Sequence, residues 1–368
     1  MRFSCVLLLG PVSLASLCAA CGGSTRGAPT DAGTATPDVA MAVALDAGCD
    51  GGGTGALTGT LDLAQPFVDA MTQWASAQVN LFSVFPSGTQ SPKYTVTLDS
   101  QTHEWAFGCL TAGGHYYVQG VAHFNVSPNG ASIPVVVGPL TVPSSDKVAL
   151  QIQPVQVEVL ESRGKGTAMV VNWASVQVHD PGSGAAVMGA TVTIDTGTGT
   201  PHPIPPAVDP NGMRAYYTTF LTPPVAQSTY TVHVAAPDGG APASSSWQVA
   251  ADVPNFDGMI TSPAMGATLS LTAPLTVTWA VEPQADFDQL TLFFKPEGGS
   301  YLSTYESPAP DPPDGPQAGS ETIPAMYFAS GGPGAYLLNV AYTKANCPAT
   351  AAGCVLAQAV ADVQFTGQ

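Results

Sequence analysis

The chain has 368 residues, of which 45% are hydrophobic, only 10% are charged, 39 are Gly and 34 are Pro. That much apolar surface with that little charge excludes disorder for the bulk of the chain, and the Gly and Pro content excludes long helices, leaving an all-β fold of short strands and many turns. A formal net charge of −17, from 9 Lys and Arg against 26 Asp and Glu, gives no electrostatic grip on a phosphate backbone and excludes nucleic acid as a partner.

The N-terminus carries one cation, Arg2, ahead of an apolar run from Val6 to Leu17 that Gly10 and Pro11 interrupt. The run is too short and too broken for a permanent membrane helix and reads as an export signal. It ends in Cys18-Ala19-Ala20-Cys21-Gly22-Gly23. Small residues directly before a cysteine resemble the lipobox of bacterial lipoproteins, although Cys18 stands where that pattern usually has leucine. The resemblance implies a signal peptide over 1–20 and lipidation of Cys21. It also implies attachment by more than one acyl chain, as stable anchoring requires. Gly22, where an aspartate would signal retention in the inner membrane, implies the outer membrane. The alternative is an ordinary cleaved signal, with Cys21 merely a small residue near the cut.

Residues 21–54 are mostly Ala, Gly, Thr, Pro and Asp. Such a composition cannot build a packed core and predicts a flexible tether with a root-mean-square span of roughly 30 Å.

Three strand-rich regions follow, at 55–153, 154–254 and 255–368, and they predict three tandem β-sandwich domains. In the first, Ala56–Leu63, Ala77–Phe85, Tyr94–Leu98, Glu104–Leu110, His115–Phe124 and Ile133–Val142 have strand length, apolar runs or alternation, and turn residues between them. Gly59 on an early strand, then Trp105-Ala-Phe107-Gly-Cys-Leu110, Gly113-Gly-His and Tyr116-Tyr117-Val118, is similar to transthyretin-like sandwiches of the carboxypeptidase regulatory type. That likeness implies fold and no catalysis. On His115–Phe124 the alternation places Tyr116, Val118 and Phe124 inward and His115, Tyr117, Gln119 and His123 toward solvent.

In the second region, Trp173 to Val178, the turn Asp180 to Gly184, and Val187 to Ile194 resemble the opening of bacterial immunoglobulin-like and transthyretin-like surface domains. Tyr230–Val234 supplies a later strand. In the third, Met259 to Leu269 followed by Leu275-Thr-Val277-Thr-Trp279 resembles the first two strands of fibronectin-III-like or immunoglobulin-like modules. Leu290–Phe294, Ala335–Tyr342 and Val355–Phe365 complete that region, with a Pro-rich loop over 306–320. Trp173 and Trp279 are the expected core tryptophans.

The cysteines fit an exported protein. Beyond Cys5, Cys18 and Cys21, an even set of Cys49, Cys109, Cys347 and Cys354 remains. Cys347 and Cys354 are expected to close a hairpin, worth about 2.5 kcal/mol by loop entropy. Elimination then pairs Cys49 with Cys109, worth about 4 kcal/mol.

Catalytic signals are missing from the sequence. No H-E-x-x-H zinc motif, D-x-D-x-D-G calcium loop, phosphate loop or dinucleotide fingerprint occurs, and Pro181-Gly-Ser183-Gly is a turn rather than a nucleophile elbow. His115 and His123 lie roughly 26 Å apart on an extended strand, too far for one metal ion. The reading is a non-catalytic envelope protein without cofactor or metal, with a structural, adhesive or binding role toward an envelope protein or polysaccharide. A carbohydrate-binding lipoprotein is the alternative, with sugar stacking drawn from Trp247, Tyr301 and Tyr305, and from Trp74 and Trp105. A glycoside hydrolase would need paired acids such as Asp286 with Asp288 or Asp99 with Glu104.

Overall fold

The computed structural model describes residues 55–65, 67, 74–83, 85–86, 91–98, 103–125, 131–144, 146–165, 172–196, 200–208, 215–221, 229–235, 243–248, 259–280, 289–296, 303–307, 319–328, 332–349 and 353–368. Cys21, Cys49, Asp99, Asp286, Asp288 and Tyr301 lie outside these residues, as does 308–318 of the Pro-rich stretch. The described chain is β-structure apart from turns and one 3-10 turn at Ala325–Phe328, as the composition requires.

The first region contributes β1 (Gly55–Leu63), β2 (Ser76–Phe82), β3 (Tyr94–Leu98), β4 (Glu104–Leu110), β5 (His115–Phe124), β6 (Ala131–Thr141) and β7 (Val148–Ile152). They form two sheets, ordered β4-β1-β7 and β3-β2-β5-β6. Alternation sends Leu57 and Leu61 of β1, Ala77, Val79 and Leu81 of β2, and Tyr116, Val118 and Ala122 of β5 into one buried cluster. Gly59 is required where it stands, because a Cβ there would collide with the Trp105 ring and the Val148 carbonyl. After β4, Gly113 turns the chain at φ +78°. The Tyr116 hydroxyl then folds back to accept a hydrogen bond from Thr111 N at 3.3 Å.

The second region contributes β8 (Val155–Lys165), β9 (Trp173–Val178), β10 (Thr191–Asp195), β11 (His202–Pro203), β12 (Pro206–Val208), β13 (Ala215–Phe220), β14 (Thr229–Ala235) and β15 (Ala243–Gln248). The Asp180 turn forms as its chemistry dictates: Asp180 Oδ1 accepts from Ser183 N at 2.8 Å, and Gly184 adopts φ +75°. The third contributes β16 (Met259–Ser262), β17 (Ala267–Leu269), β18 (Leu275–Ala280), β19 (Gln289–Pro296), β20 (Ser303–Ser307), β21 (Gly319–Ile323), β22 (Gly334–Asn346) and β23 (Gly353–Gly367). Trp279 is buried in the third region's core, as expected. Trp173 departs from expectation. It is half-buried, because Ala174, Val176 and Val178 take the core face of β9.

Strands of the second and third regions share one nine-stranded sheet, β12-β13-β9-β8-β23-β22-β19-β20 with β17 also on β23. The join is the parallel pairing of β23 with β8, from Gly353 opposite Val157 to Ala361 opposite Lys165. One face of the sheet carries both cores. Val157, Val159 and Val355 pack with the sheet β11-β10-β14-β15, while Leu338, Val340, Val363 and Phe365 pack with β16-β18-β21.

The opposite face meets the first region. Phe82, Phe85, Tyr117 and Val136 pack there with Ala345, Cys347, Cys354 and Leu356. The expectation that Tyr117 and Gln119 face solvent is therefore corrected. They are 1% and 7% exposed, because the outer face of β5 is covered by the tip of the β22–β23 hairpin. Backbone pairing continues across this contact. Gly138 N donates to Cys347 O at 3.0 Å, Cys347 N donates to Gly138 O at 2.8 Å, and the Tyr117 hydroxyl donates to Ala345 O at 3.1 Å.

At Gly353 a Cβ would fall on the Val157 carbonyl oxygen. Gly353→Ala should therefore force β23 away from β8 and cost about 2 kcal/mol. Urea unfolding checks this, and an unchanged midpoint would show that the pairing is not a shared support.

Candidate binding surface

The sequence-nominated aromatics fall into three groups. Trp247 lies on β15 opposite Tyr230, and Tyr305 lies on β20 opposite Leu292. Both strands are outermost in their sheets, so the two residues stand on edges of different sheets. Tyr301 lies outside the described residues. Trp74 and Trp105 are core. Trp74 is 4% exposed with its ring 4.9 Å from that of His103, and Trp105 is 2% exposed at 5.5 Å from Phe107. Neither offers a face to a sugar.

Cys347 and Cys354 are joined by a disulfide, with Cα atoms 4.3 Å apart. Cys109 is also disulfide-bonded, and Cys49, the expected partner, lies outside the described residues. Glu104 forms an exposed ion pair with Lys147 at 2.7 Å. Among the described residues no group of three His, Cys, Asp or Glu side chains could hold a metal ion, and no helix is long and apolar enough to cross a membrane.

A different surface emerges from the register. Phe220, Trp173, Leu160, Leu356 and Ala345 stand directly opposite one another across β13, β9, β8, β23 and β22. They therefore form one apolar row on the face that meets the first region. At its inner end Leu356 and Ala345 are buried under Tyr117 and Val136. At its outer end Phe220 is 58% exposed. The adjacent row holds Ser175, Glu158 and Cys354, flanked by Thr218. Sequence reasoning missed this surface because Gln156, Glu158 and Leu160 alternate with Val155, Val157 and Val159 as a solvent face would.

Glu158 is half-buried, and among the described residues its carboxyl has no hydrogen-bond or ion-pair partner. Loss of water around it pushes its pKa up to about 8. On its own strand the flanking Gln156 donates to the Pro134 carbonyl of β6. Near the same contact, His179 is buried beside the Asp180 turn. Its Nδ1 lies 3.1 Å from the Gly184 carbonyl, which requires Nδ1 to carry the proton, and Nε2 has no partner among the described residues. Burial pulls its pKa down to about 4 against the favourable carbonyl contact. A Cβ at Gly184 would strike the Phe124 ring, so this turn rests on the first region.

No family model matches the chain, and no curated protein sequence matches it. The crystal structure of chicken CNTN1 FN1-FN3 domains is similar at 10% identity and a TM-score of 0.22, covering 78% of this chain and 89% of that one. The all-β class stands on the strands themselves, not on this likeness.

The two buried groups act in opposite pH windows. Glu158 is raised, so its cost is absent while both states are protonated below the ordinary pKa, grows from about pH 4.5 and is complete above about pH 8. Glu158→Gln should therefore leave stability unchanged at pH 4 and raise it by about 1–2 kcal/mol at pH 9, after allowance for partial solvent screening. His179 is depressed, so its contribution is complete above about pH 6.5 and lost as pH falls toward 4. His179→Gln should flatten the acid limb of the stability curve by about 2–3 kcal/mol. Urea midpoints between pH 4 and 9 read both effects, and parallel curves for wild type and variants would refute them.

Proposed function

We propose that this chain is an exported, lipid-anchored and non-catalytic envelope protein, tethered at Cys21 and holding its β-structure clear of the outer membrane to bind another envelope component. The observation that carries the binding role is the union of the three cores through the β22–β23 hairpin. Backbone pairing of its tip to both β8 and β6 gives a supported body with sheet edges at its margins. Binding proteins use such edges and the loops beside them, because unpaired strand groups give affinity and alternate side chains give specificity. The division into modules at 55–153, 154–254 and 255–368 is part of this proposal. Support comes from three separate buried clusters that fall within those limits apart from Val355, which packs with the second. The lipid anchor is supported by the Cys18–Gly23 sequence and the Gly- and Pro-rich stretch after it.

A carbohydrate ligand is the second reading, favoured by the placement of Trp247 and Tyr305 on outermost strands. Full-length protein expressed with a clickable palmitate analogue should take up label and fractionate with the outer membrane, and Cys21→Ser should lose the label. Label retained by Cys21→Ser would end the anchor proposal. On a glycan array, binding that Trp247→Ala or Tyr305→Ala abolishes would establish the carbohydrate reading, and an empty array would remove it in favour of protein partners.

A further inference from the structure

From the row that emerges from beneath the first region we infer that Phe220, Trp173 and Glu158 form a docking surface for a partner protein's extended segment carrying a Lys or Arg between apolar side chains. The inference rests on the binding role proposed above but uses neither the lipid anchor nor the aromatic edge positions. Three observations lead to it. The row is continuous with an interface the protein already builds, since the same five-strand line that ends at exposed Phe220 begins at Ala345 and Leu356 under Tyr117. An exposed phenylalanine beside a half-buried tryptophan is apolar area that isolated surface residues do not explain.

Beside that row stands Glu158, desolvated and unmatched by any base among the described residues. At neutral pH burial keeps Glu158 mostly protonated, so a partner's cation would displace its proton and leave a charge-assisted hydrogen bond to a carboxylate shielded from water. Trp173, half-buried in the next row, brings an indole within reach of the cation or its methylene stem. Ser175, opposite Glu158 on β9, supplies a hydroxyl for the segment's polar groups, while Thr218 beyond it, whose hydroxyl donates to the Ala174 carbonyl at 3.1 Å, can only accept. Charge sets the occupant. A chain with 26 acids and 9 bases repels another copy of itself and attracts a basic one.

The test uses full-length protein in detergent and a labelled synthetic peptide alternating lysine with leucine and phenylalanine, read by fluorescence anisotropy. A counterpart with glutamate in place of lysine controls for charge. Wild type should bind the lysine peptide and not the glutamate one. Phe220→Ala and Glu158→Gln should each weaken binding by about tenfold or more, while Met326→Ala, exposed on the 3-10 turn, should leave it unchanged. Glu158→Gln is expected to be at least as stable as wild type, so weaker binding in it is not loss of fold; thermal unfolding of each variant verifies this. Equal binding by wild type, Phe220→Ala and Glu158→Gln would reduce the effect to general attraction toward an acidic chain and overturn the site. Absence of binding to the lysine peptide, or weakening in only one of the two variants, would overturn it as well. Each of those results leaves the labelling of Cys21 and the glycan array untouched, so failure here is distinct from failure of the envelope reading.

Discussion

Everything in this structure depends on the parallel pairing of β23 with β8. The strands of the second and third regions could each form a sandwich with their own partners, but nine consecutive register pairs join them into a single sheet. Parallel pairing demands a long connection, and here the connection spans about half of the chain, from Lys165 to Gly353. Gly353 permits it at the first pair, since any side chain there would displace the facing backbone. The disulfide then holds the hairpin tip while the first region attaches to it through Gly138 and Tyr117.

A sheet used this way has no solvent face at its centre. Its core face is mainly apolar, with valines from β8 and β9 and aromatic side chains at Tyr336 and Phe365, and the buried Glu161 at the far end of β8 accepts a hydrogen bond from the Tyr230 hydroxyl. Its other face is mixed, because it must close over a second surface that is itself partly polar. Asn80 donates to Gln119 at 3.3 Å and accepts from Thr95 at 2.8 Å on the outer face of the first region. Gln156 reaches the Pro134 carbonyl. These bonds satisfy polar groups that burial would otherwise leave costly. Of these, the Gln156 bond crosses the contact and ties β8 to β6 at one position.

This mixture governs how far the sequence could be read. Strands with one apolar face were legible: Tyr94–Leu98, Glu104–Leu110 and His115–Phe124 have the bounds that alternation assigned, the Asp180 turn follows from local chemistry, and Trp279 is buried on the apolar face of Leu275-Thr-Val277-Thr-Trp279. What alternation could not reveal is burial of the second face. Tyr117 and Gln119 read as solvent-facing because alternate positions of a strand with one apolar face ordinarily are, and the hairpin that meets Tyr117 lies some two hundred residues away in the chain. Trp173 failed for the same reason from the other side, since its neighbours Ala174 and Val176 fill the core and leave the larger ring to the mixed face. The proposed anchor sequence, by contrast, is a local signal that needs no tertiary context.

The proposed docking site lies on that mixed face. Where the contact is complete, its polar atoms are matched, as at Asn80, Gln119 and Gln156. Where it thins toward β9 and β13, the matching stops: Glu158 keeps its carboxyl without a counter-charge and Phe220 stands in solvent. Packing alone would favour an apolar residue at 158, between Gln156 and Leu160 and opposite Cys354, since a carboxyl there gains nothing from its neighbours and loses water. A local rule broken next to an exposed aromatic is the arrangement expected of a surface that is completed by something outside the chain. The gradient along one row, from fully buried Ala345 to exposed Phe220, thus fits the proposed single interface, filled at one end by the protein's own first region and completed at the other by the partner.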